Sequence, residues 1–195
     1  MKVLVACEES QRVTLAFRKL NHEAYSCDIK DCSGGFPEYH IKGDCRAVVE
    51  WGNWDLIIAH PPCQCLCRLD SANYVKFGAE WALERAKKRE DAREFFMFFY
   101  NLDGRVCIEN PIPSKKANLP QWSQIIQPYD FGEDYSKKTC LWLKGLPYLI
   151  PNCIVQDRRH YGAEWCKVTK NSVQRAKTFP AVARAMAEQW GGKNI

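Results

Sequence analysis

A short apolar run that ends at two consecutive prolines constrains the fold of this chain more than any other feature. The run, residues 56 to 59, is rich in isoleucine, which is typical of a central parallel strand covered on both faces. Pro61 and Pro62 have no amide hydrogen to donate, so the sheet cannot continue through them. Cys63 therefore follows the carboxyl end of a strand, where open α/β sheets bind ligands. Its thiol is a candidate nucleophile, and an ordinary reduced thiol is the alternative.

The chain opens with the alternation of strand and helix that such a sheet needs. Residues 3 to 7 are apolar, apolar residues at helical spacing follow between positions 13 and 20, and residues 23 to 27 form a second short strand. Ser10 is expected to cap the helix. In nucleotide-binding α/β proteins the acid that ends the second strand, here Asp28, accepts hydrogen bonds from a ribose.

The turn after the first strand indicates which nucleotide could bind. It reads Ala6-Cys7-Glu8-Glu9-Ser10 and lacks the glycine-rich sequence of dinucleotide sites. Glu8 and Glu9 would repel a pyrophosphate, whereas a ligand with a ribose and a cationic or zwitterionic tail, such as S-adenosylmethionine, would not be repelled. Asp44, further along, is placed either to meet such a ligand or to act as a simple turn or capping acid.

A second strand end carries polar groups that could act together with Cys63. Residues 80 to 101 are expected to form a helix whose charged first half is a solvated face. The apolar strand at residues 106 to 108 follows it and ends in Glu109-Asn110-Pro111. If the two strands are neighbours in a parallel sheet, Glu109 and Cys63 face the same crevice.

Length and composition indicate the broad class of protein and its compartment. A chain of 195 residues suits one domain, no run of 18 apolar residues is present, and no secretory signal is recognisable at the first residues. Eleven cysteines are therefore read as reduced thiols in the cytoplasm. The alternating Cys63, Cys65 and Cys67 are spaced too closely for a structural zinc site, so no metal is predicted. The other candidate zinc ligands would be Cys140, Cys153 and Cys166.

The last third of the chain is basic and irregular. Residues 145 to 178 combine lysines and arginines with aromatic residues, and the whole chain has a formal net charge of +5. Basic charge mixed with aromatic rings suits a nucleic-acid surface, and a solvated loop is the alternative.

Together these pieces resemble the DNA cytosine-5 methyltransferases, and in particular the small methyltransferase-like proteins of phages and prophages. The resemblance rests on motifs in the expected order along the chain: Asp28, Asp44, Pro62-Cys63-Gln64, Glu109-Asn110-Pro111, the lysine-rich entry to Thr139-Cys140-Leu141-Trp142, and Thr178-Phe179-Pro180. It implies an α/β, Rossmann-like methyltransferase fold, with a mostly parallel sheet and helices on both faces. Residues 1–195 would form one domain, in which residues 145–178 are a reduced, basic, recognition-like insert.

The resemblance also implies catalytic roles. Cys63 would add to carbon 6 of cytosine, so that carbon 5 can attack the methyl group of S-adenosylmethionine. Glu109 would hold a proton at ring nitrogen 3, and Asn110 would help to hold the loop and the base. Lys137 or Lys138 would replace the family's arginines near the base carbonyl, with Lys138 preferred.

The same resemblance implies a binding site for S-adenosylmethionine. Asp28 would bind the ribose and Asp44 the adenine amine, the Ala6 to Ser10 turn would surround the methionine part, and Pro62 would lie behind the cofactor. The full set that we predict is Ala6, Cys7, Glu8, Ser10, Asp28, Ile29, Asp44, Cys45 and Pro62.

The implied partner is DNA, either duplex or single-stranded, in the cytoplasm of a bacterium or a phage-infected cell and away from membranes. A base in a duplex would have to be flipped out. The family's long target-recognition domain is missing, since only about 35 residues separate Leu143 from Phe179; a partner protein could supply recognition. Two alternatives stay open: the same chemistry on RNA or a free cytosine nucleotide, and a catalytically weak protein that binds cofactor or nucleic acid.

Overall fold

The structure is a computed structural model that describes residues 1–67, 74–153 and 164–192, with side chains described from residue 79 in the second range. Its strands are β1 Lys2–Ala6, β2 Glu23–Asp28, β3 His40–Lys42, β4 Leu56–Ala59, β5 Val106–Pro111, β6 Gln124–Ile126 and β7 Thr139–Lys144. Its α-helices are α1 Arg12–Lys19, α2 Cys45–Trp51, α3 Tyr74–Asn101, α4 Trp165–Val168, α5 Ser172–Ala176 and α6 Pro180–Trp190.

The strands form one seven-stranded sheet in the order β3-β2-β1-β4-β5-β7-β6. All neighbouring strands are parallel except those paired with β7, which runs antiparallel to both β5 and β6. The sheet reverses its order at β1, next to β4, which is the kind of switch point at which α/β proteins bind ligands. This topology confirms the predicted α/β, Rossmann-like methyltransferase fold with a mostly parallel sheet.

Helices cover both faces of the sheet, as expected. Alternate residues of β1 point to opposite faces: Val3 and Val5 pack in one buried cluster with α1 and α6, whereas Leu4 packs in the other with α2 and α3. Phe17 of α1 and Trp190 of α6 anchor the first cluster. The large buried side chains of the second cluster are Phe96, Phe99 and Trp142. Burial on both faces explains why β4 and residues 3–6 of β1 are apolar.

Two local predictions were wrong. The long helix α3 begins at Tyr74, six residues before the predicted start. Ser10 does not cap α1, because the residue before the helix is Gln11, whose backbone is left-handed and whose side chain makes no capping bond. The Glu8 carboxylate takes that role and accepts hydrogen bonds from the backbone N–H groups of Val13 (2.7 Å) and Thr14 (3.2 Å).

No α-helix within the described ranges has the length and apolar character that a transmembrane span requires.

Candidate active site

Cys63 lies in a tight turn directly after β4. The extension of β4 is held by the His60 N–H, which donates to the carbonyl of Ala6 in β1 (2.9 Å). The Cys63 carbonyl then accepts hydrogen bonds from the N–H groups of Leu66 and Cys67, both at 3.0 Å. The turn leaves the Cys63 side chain half-buried at the carboxyl edge of the sheet. We call residues 60–67 the cysteine loop.

Glu109 and Asn110 lie at the end of β5, which is the direct neighbour of β4. The Asn110 side chain is fully buried, and its Nδ2 donates to the carbonyl of Pro61 at 3.0 Å. This bond joins the end of β5 to the cysteine loop. The structure therefore brings Cys63, Glu109 and Asn110 together in one crevice, which the sequence predicted only on condition that the strands are neighbours.

Glu109 is ionised more readily than an ordinary glutamate. Burial alone would raise its pKa, but a contact from His60, the positive charge of Lys137 and a hydrogen bond from Thr139 together outweigh burial and lower the pKa. The His60 Nδ1 lies 3.5 Å from the Glu109 Oε2. Glu109 is therefore a carboxylate at neutral pH in the free protein.

Cys63 shows the opposite behaviour. Its thiol donates a hydrogen bond to Cys67, which together with burial and the negative charge of Glu109 raises its pKa, and only the positive charge of Lys137 opposes the change. The free protein therefore holds Cys63 as a thiol. A thiolate is the nucleophilic form, so activation requires a further positive charge or loss of the Cys67 contact.

The two candidate lysines differ in their surroundings. Lys137 is half-buried, its Nζ donates to the carbonyl of Arg175 (3.0 Å), and its charge acts on both Cys63 and Glu109. Lys138 is exposed. The structure thus places Lys137, rather than the preferred Lys138, beside the reactive groups.

Helix α3 contributes a set of contacts that sequence reasoning missed. Arg85, Arg89 and Arg93, which we call the arginine row, recur every four residues and so share one side of the helix. Arg85 donates to the carbonyl of Gln64 (2.7 Å) and Arg89 to that of Cys65 (3.2 Å). Arg89 is buried. The predicted solvated face is therefore wrong at these positions, and the four-residue spacing was the only sequence signal for it.

The third member of the arginine row, Arg93, donates to the carbonyl of Asn118, which follows β5. The row thus fastens α3 to the segments that follow both β4 and β5. Bonds from charged donors to backbone carbonyls are among the stronger hydrogen bonds in proteins. The cysteine loop is therefore held by α3 and by Asn110 of β5, two distant parts of the chain.

The turn between β1 and α1 lies at the carboxyl end of β1, beside the switch point of the sheet. Ala6 is fully buried, and Cys7 has a positive φ of 60°, a conformation that glycine usually supplies. Glu8 and Ser10 are both buried. Burial raises the pKa of Glu8, although a positive charge at His60 and the bonds from Val13 and Thr14 oppose this effect. Glu8 faces α1, so its charge is directed away from any ligand at the sheet edge.

Further predicted cofactor residues lie at the ends of β2 and β4. Asp28 is half-exposed and accepts a bond from the Lys30 N–H on Oδ1 (3.0 Å). Ile29 is 73% exposed beside it and offers an apolar surface to a flat ring. Pro62 is exposed in the cysteine loop. These positions fit an adenosine group: one carboxylate for ribose hydroxyls and an adjacent apolar surface.

Asp44 has a partner already. Its side chain caps α2 by accepting from the Arg46 N–H (2.9 Å), and the Arg46 guanidinium contacts both carboxylate oxygens. These bonds lower the pKa of Asp44. The capping alternative that the sequence left open therefore describes Asp44 in this structure, and an adenine amine would have to compete with Arg46.

The thiols of Cys7, Cys27 and Cys45 interact with one another near the ends of β1 and β2. The Cys7 and Cys45 sulfurs are 3.8 Å apart, and the Cys7 N–H also donates to the Cys45 sulfur (3.3 Å). Hydrogen bonds from Cys27 and Cys7 lower the pKa of Cys45 to about 4. Within the described parts of the chain, no group of three or more histidine, cysteine or acidic side chains is arranged to hold a metal ion.

The closing motif returns to this edge of the sheet. The Arg12 guanidinium donates to the carbonyl of Thr178 (2.8 Å), so the segment before α6 is tied to the start of α1. Phe179 packs against Trp165 and Tyr135, with ring centroids 5.2 and 6.0 Å away. Only parts of the predicted insert are visible, because Arg158, Arg159, His160 and Tyr161 lie outside the described residues.

Comparison with known proteins gives distant likenesses only. No family model and no curated protein matches the chain. A prophage-encoded E. coli protein, provisionally described as a DNA modification methyltransferase, is 12% identical over 80% of this chain and 52% of that one, with a TM-score of 0.47. The Entamoeba histolytica methyltransferase EhMeth is 17% identical over 92% of this chain and 63% of that one, with a TM-score of 0.49. This chain spans less than two thirds of either length, and its function has to be argued from the site.

Proposed function

We propose that this chain is an S-adenosylmethionine-dependent methyltransferase that acts on carbon 5 of cytosine in DNA through a covalent adduct with Cys63. The observation that carries the proposal is that Cys63 and Glu109 lie at the ends of two adjacent strands. The buried hydrogen bond from Asn110 to the Pro61 carbonyl joins these two strand ends. A nucleophile beside a carboxylate is what activation of a cytosine ring requires, because the ring must be attacked at carbon 6 while its N3 edge is held.

Each residue has a defined task in this chemistry. The Cys63 thiol gives its proton to water, and the sulfur then forms a bond to carbon 6; Lys137 favours this step because its charge stabilises the thiolate. The Glu109 carboxylate accepts a hydrogen bond from the exocyclic amine, and a proton taken up from solvent is shared between Glu109 and ring nitrogen 3 as the thiolate adds. The electrons of the 5,6 double bond are thereby made available at carbon 5. When carbon 5 later loses its proton, the bond to Cys63 breaks and the thiolate is released.

The cofactor half of the site fits the proposal. S-adenosylmethionine, when bound, supplies the methyl group. Asp28 would hold the ribose hydroxyls and Ile29 would pack against the adenine, while Pro62 lies at the border between cofactor and base. Glu8 does not present its charge to the methionine carboxylate, because its own carboxylate is bonded to α1, and the neighbouring Glu9 lies 3.9 Å from the Lys177 Nζ.

DNA is the proposed substrate, and a base in a duplex would be flipped into the crevice. Two observations favour the alternatives. The short segment between β7 and α6 offers little chain for reading a duplex, which favours RNA or a free cytosine nucleotide as substrate. The protonated Cys63 thiol favours a weak catalyst or a binding protein.

The test is mass spectrometry of nucleosides after incubation with S-adenosylmethionine. Duplex DNA, single-stranded DNA, RNA and dCMP are offered in parallel to the wild type and to Cys63→Ser. Cys166→Ser is the matched control, because Cys166 is an exposed thiol in α4. We expect a gain of one methyl group on cytosine in DNA with wild type and with Cys166→Ser only. No gain in any pool, although the cofactor binds, would contradict the proposal.

A further inference from the structure

One buried side chain in the crevice has no task in the chemistry above. His60 is the first residue after β4, and its backbone bond to Ala6 keeps it in line with β1. Its side chain is only 11% exposed, although it lies at the carboxyl edge of the sheet, where the neighbouring Pro62 is exposed. A histidine is rarely buried at such a position without a partner for its ring nitrogens.

The ring interacts with two carboxylates. Its Nδ1 is 3.5 Å from Oε2 of Glu109, whose side chain is 14% exposed. A positive charge at His60 also acts on Glu8, in the turn after β1. The Nδ1 atom must carry the hydrogen in order to donate to Glu109, so in the neutral ring Nε2 is an acceptor.

The second ring nitrogen does not contribute to the orientation of His60. Nε2 is buried and has no hydrogen-bond partner among the described residues. Glu8, in contrast, is fully used by α1, because its oxygens accept from two backbone N–H groups and from the Thr14 hydroxyl (2.8 Å). Among the described residues, the Glu109 carboxylate is therefore the hydrogen-bond partner that orients the His60 ring.

The other groups that act on Glu109 come from a different element. Lys137 and Thr139, at the entry to β7, both act on the carboxylate, Lys137 through its charge and Thr139 through a hydrogen bond. Cys63 follows in the same loop as His60 and is destabilised as a thiolate by the charge of Glu109. The charged and titratable groups that interact with His60 are thus Glu8 and Glu109, and those that interact with Glu109 in turn are Lys137 and Cys63.

We propose that His60 is a positioning residue, which holds the Glu109 carboxylate oriented and ionised so that it can receive the N3 and amine edge of the cytosine ring. The part about cytosine rests on the proposed function; the part about Glu109 does not. His60 acts by donating from Nδ1 to Oε2. Thr139 also donates to the carboxylate, and the remaining lone pairs are left for the base.

The direct test is the titration of Glu109 by ¹³C NMR of labelled glutamate side chains, with the Glu109 signal assigned by Glu109→Gln. The wild type is compared with His60→Ala and with His60→Asn, which keeps an N–H donor near the Nδ1 position but cannot become charged. His40→Ala is the matched control. His40 lies on β3, and its ring contacts the Ser26 hydroxyl and the carbonyl of Lys30 rather than Glu109. We expect the Glu109 midpoint to rise in His60→Ala, to rise less in His60→Asn, and to stay constant in His40→Ala.

Turnover gives the second measurement. We expect kcat for methyl transfer to fall about 10- to 100-fold in His60→Ala, with KM for S-adenosylmethionine changed far less, because misplacement of a catalytic group costs about this much. The acid limb of the pH profile should move to higher pH, and His60→Asn should recover part of the rate.

The outcomes separate the two proposals. A Glu109 midpoint that is the same in the wild type and both His60 variants overturns the inference, whatever the turnover. A shifted midpoint in a protein that transfers no methyl group supports His60 as the positioning residue and overturns the proposed function instead. Amide spectra identify a variant that fails to fold, and the test then rests on the other His60 variant.

Discussion

Two carboxyl groups at the same edge of the sheet, Glu8 after β1 and Glu109 in β5, have pKa values shifted in opposite directions. Burial raises the pKa of Glu8, because only hydrogen bonds from α1 and the charge of His60 oppose it. Glu109 has a lysine in addition, and its pKa is lowered. The His60 contact, the Lys137 charge and the Thr139 hydrogen bond together outweigh burial at Glu109, whereas the groups around Glu8 do not outweigh burial there. Glu8 completes a helix, whereas Glu109 presents a charge to the crevice.

The largest effect should separate these two carboxylates by function. We expect Glu109→Gln to lower the rate of methyl transfer by about 10²- to 10⁴-fold, because the neutral amide cannot share a proton with the ring. Glu8→Gln should act mainly on stability, since the amide oxygen accepts the capping bonds of α1 less well. Single-turnover kinetics and thermal unfolding measure both changes. Equal loss of rate in the two variants would contradict the division of roles.

The arginine row allows a test of how the catalytic side is held. Arg89→Met removes a charged donor from the carbonyl of Cys65, and we expect it to lower the free energy of unfolding by about 2 kcal/mol. Lys88→Met is the matched control. Lys88 is an exposed neighbour that pairs with Glu84, and such pairs contribute about 0.5 kcal/mol or less. Urea unfolding would decide the matter, and equal midpoints for the two variants would show that the row is not structural.

The two lysines before β7 sharpen the comparison further. Lys137→Met should move the acid limb of the activity profile to higher pH, because the pKa of Glu109 rises when this charge is removed. We expect its rate at neutral pH to fall about tenfold, the effect of losing one electrostatic contact of about 1.4 kcal/mol. Lys138→Met, at an exposed position, should change the rate less than twofold. The reverse order would restore Lys138 to the role that the sequence suggested.

The smallest effect is a difference in how stability depends on pH. Because the folded pKa of Glu109 lies below its unfolded value of about 4.3, the wild type gains stability over Glu109→Gln above that pH and loses the gain as pH falls further. The pKa of Glu8 is raised, so the sign reverses. Wild type should lose stability relative to Glu8→Gln as pH increases from about 4.3 through the folded pKa. Unfolding curves between pH 3 and 7 would show parallel behaviour if the two carboxylates are equivalent.

Much of this fold could be predicted because the information is local. Apolar strands that end at prolines or acids mark the edge of the sheet, and their order along the chain predicts a mostly parallel arrangement. The prolines after Ala59 located Cys63 at that edge. The residues 106 to 108 located Glu109 beside it, once β4 and β5 were known to be neighbours.

The contacts that hold the site could not be predicted in the same way. The carbonyl partners of Arg85 and Arg89 are some twenty residues away along the chain. The same pattern of charged residues occurs on a helix face that is solvated and on one that donates hydrogen bonds to backbone carbonyls. His60 was passed over because nothing in its neighbours along the chain reveals the carboxylate that lies 49 residues further on. The choice between Lys137 and Lys138 depended on which side chain the entry to β7 turns inward.

Trapping the covalent adduct tests the central claim most directly. DNA that carries 5-fluorocytosine is incubated with the protein and S-adenosylmethionine, and the products are digested and analysed by mass spectrometry. Fluorine at carbon 5 cannot leave as a proton does, so the bond between Cys63 and carbon 6 cannot be released after methyl transfer. We expect a stable conjugate on the peptide that contains Cys63, lost in Cys63→Ser and retained in Cys166→Ser. Methylation of ordinary cytosine without any such conjugate would contradict the nucleophilic role of Cys63.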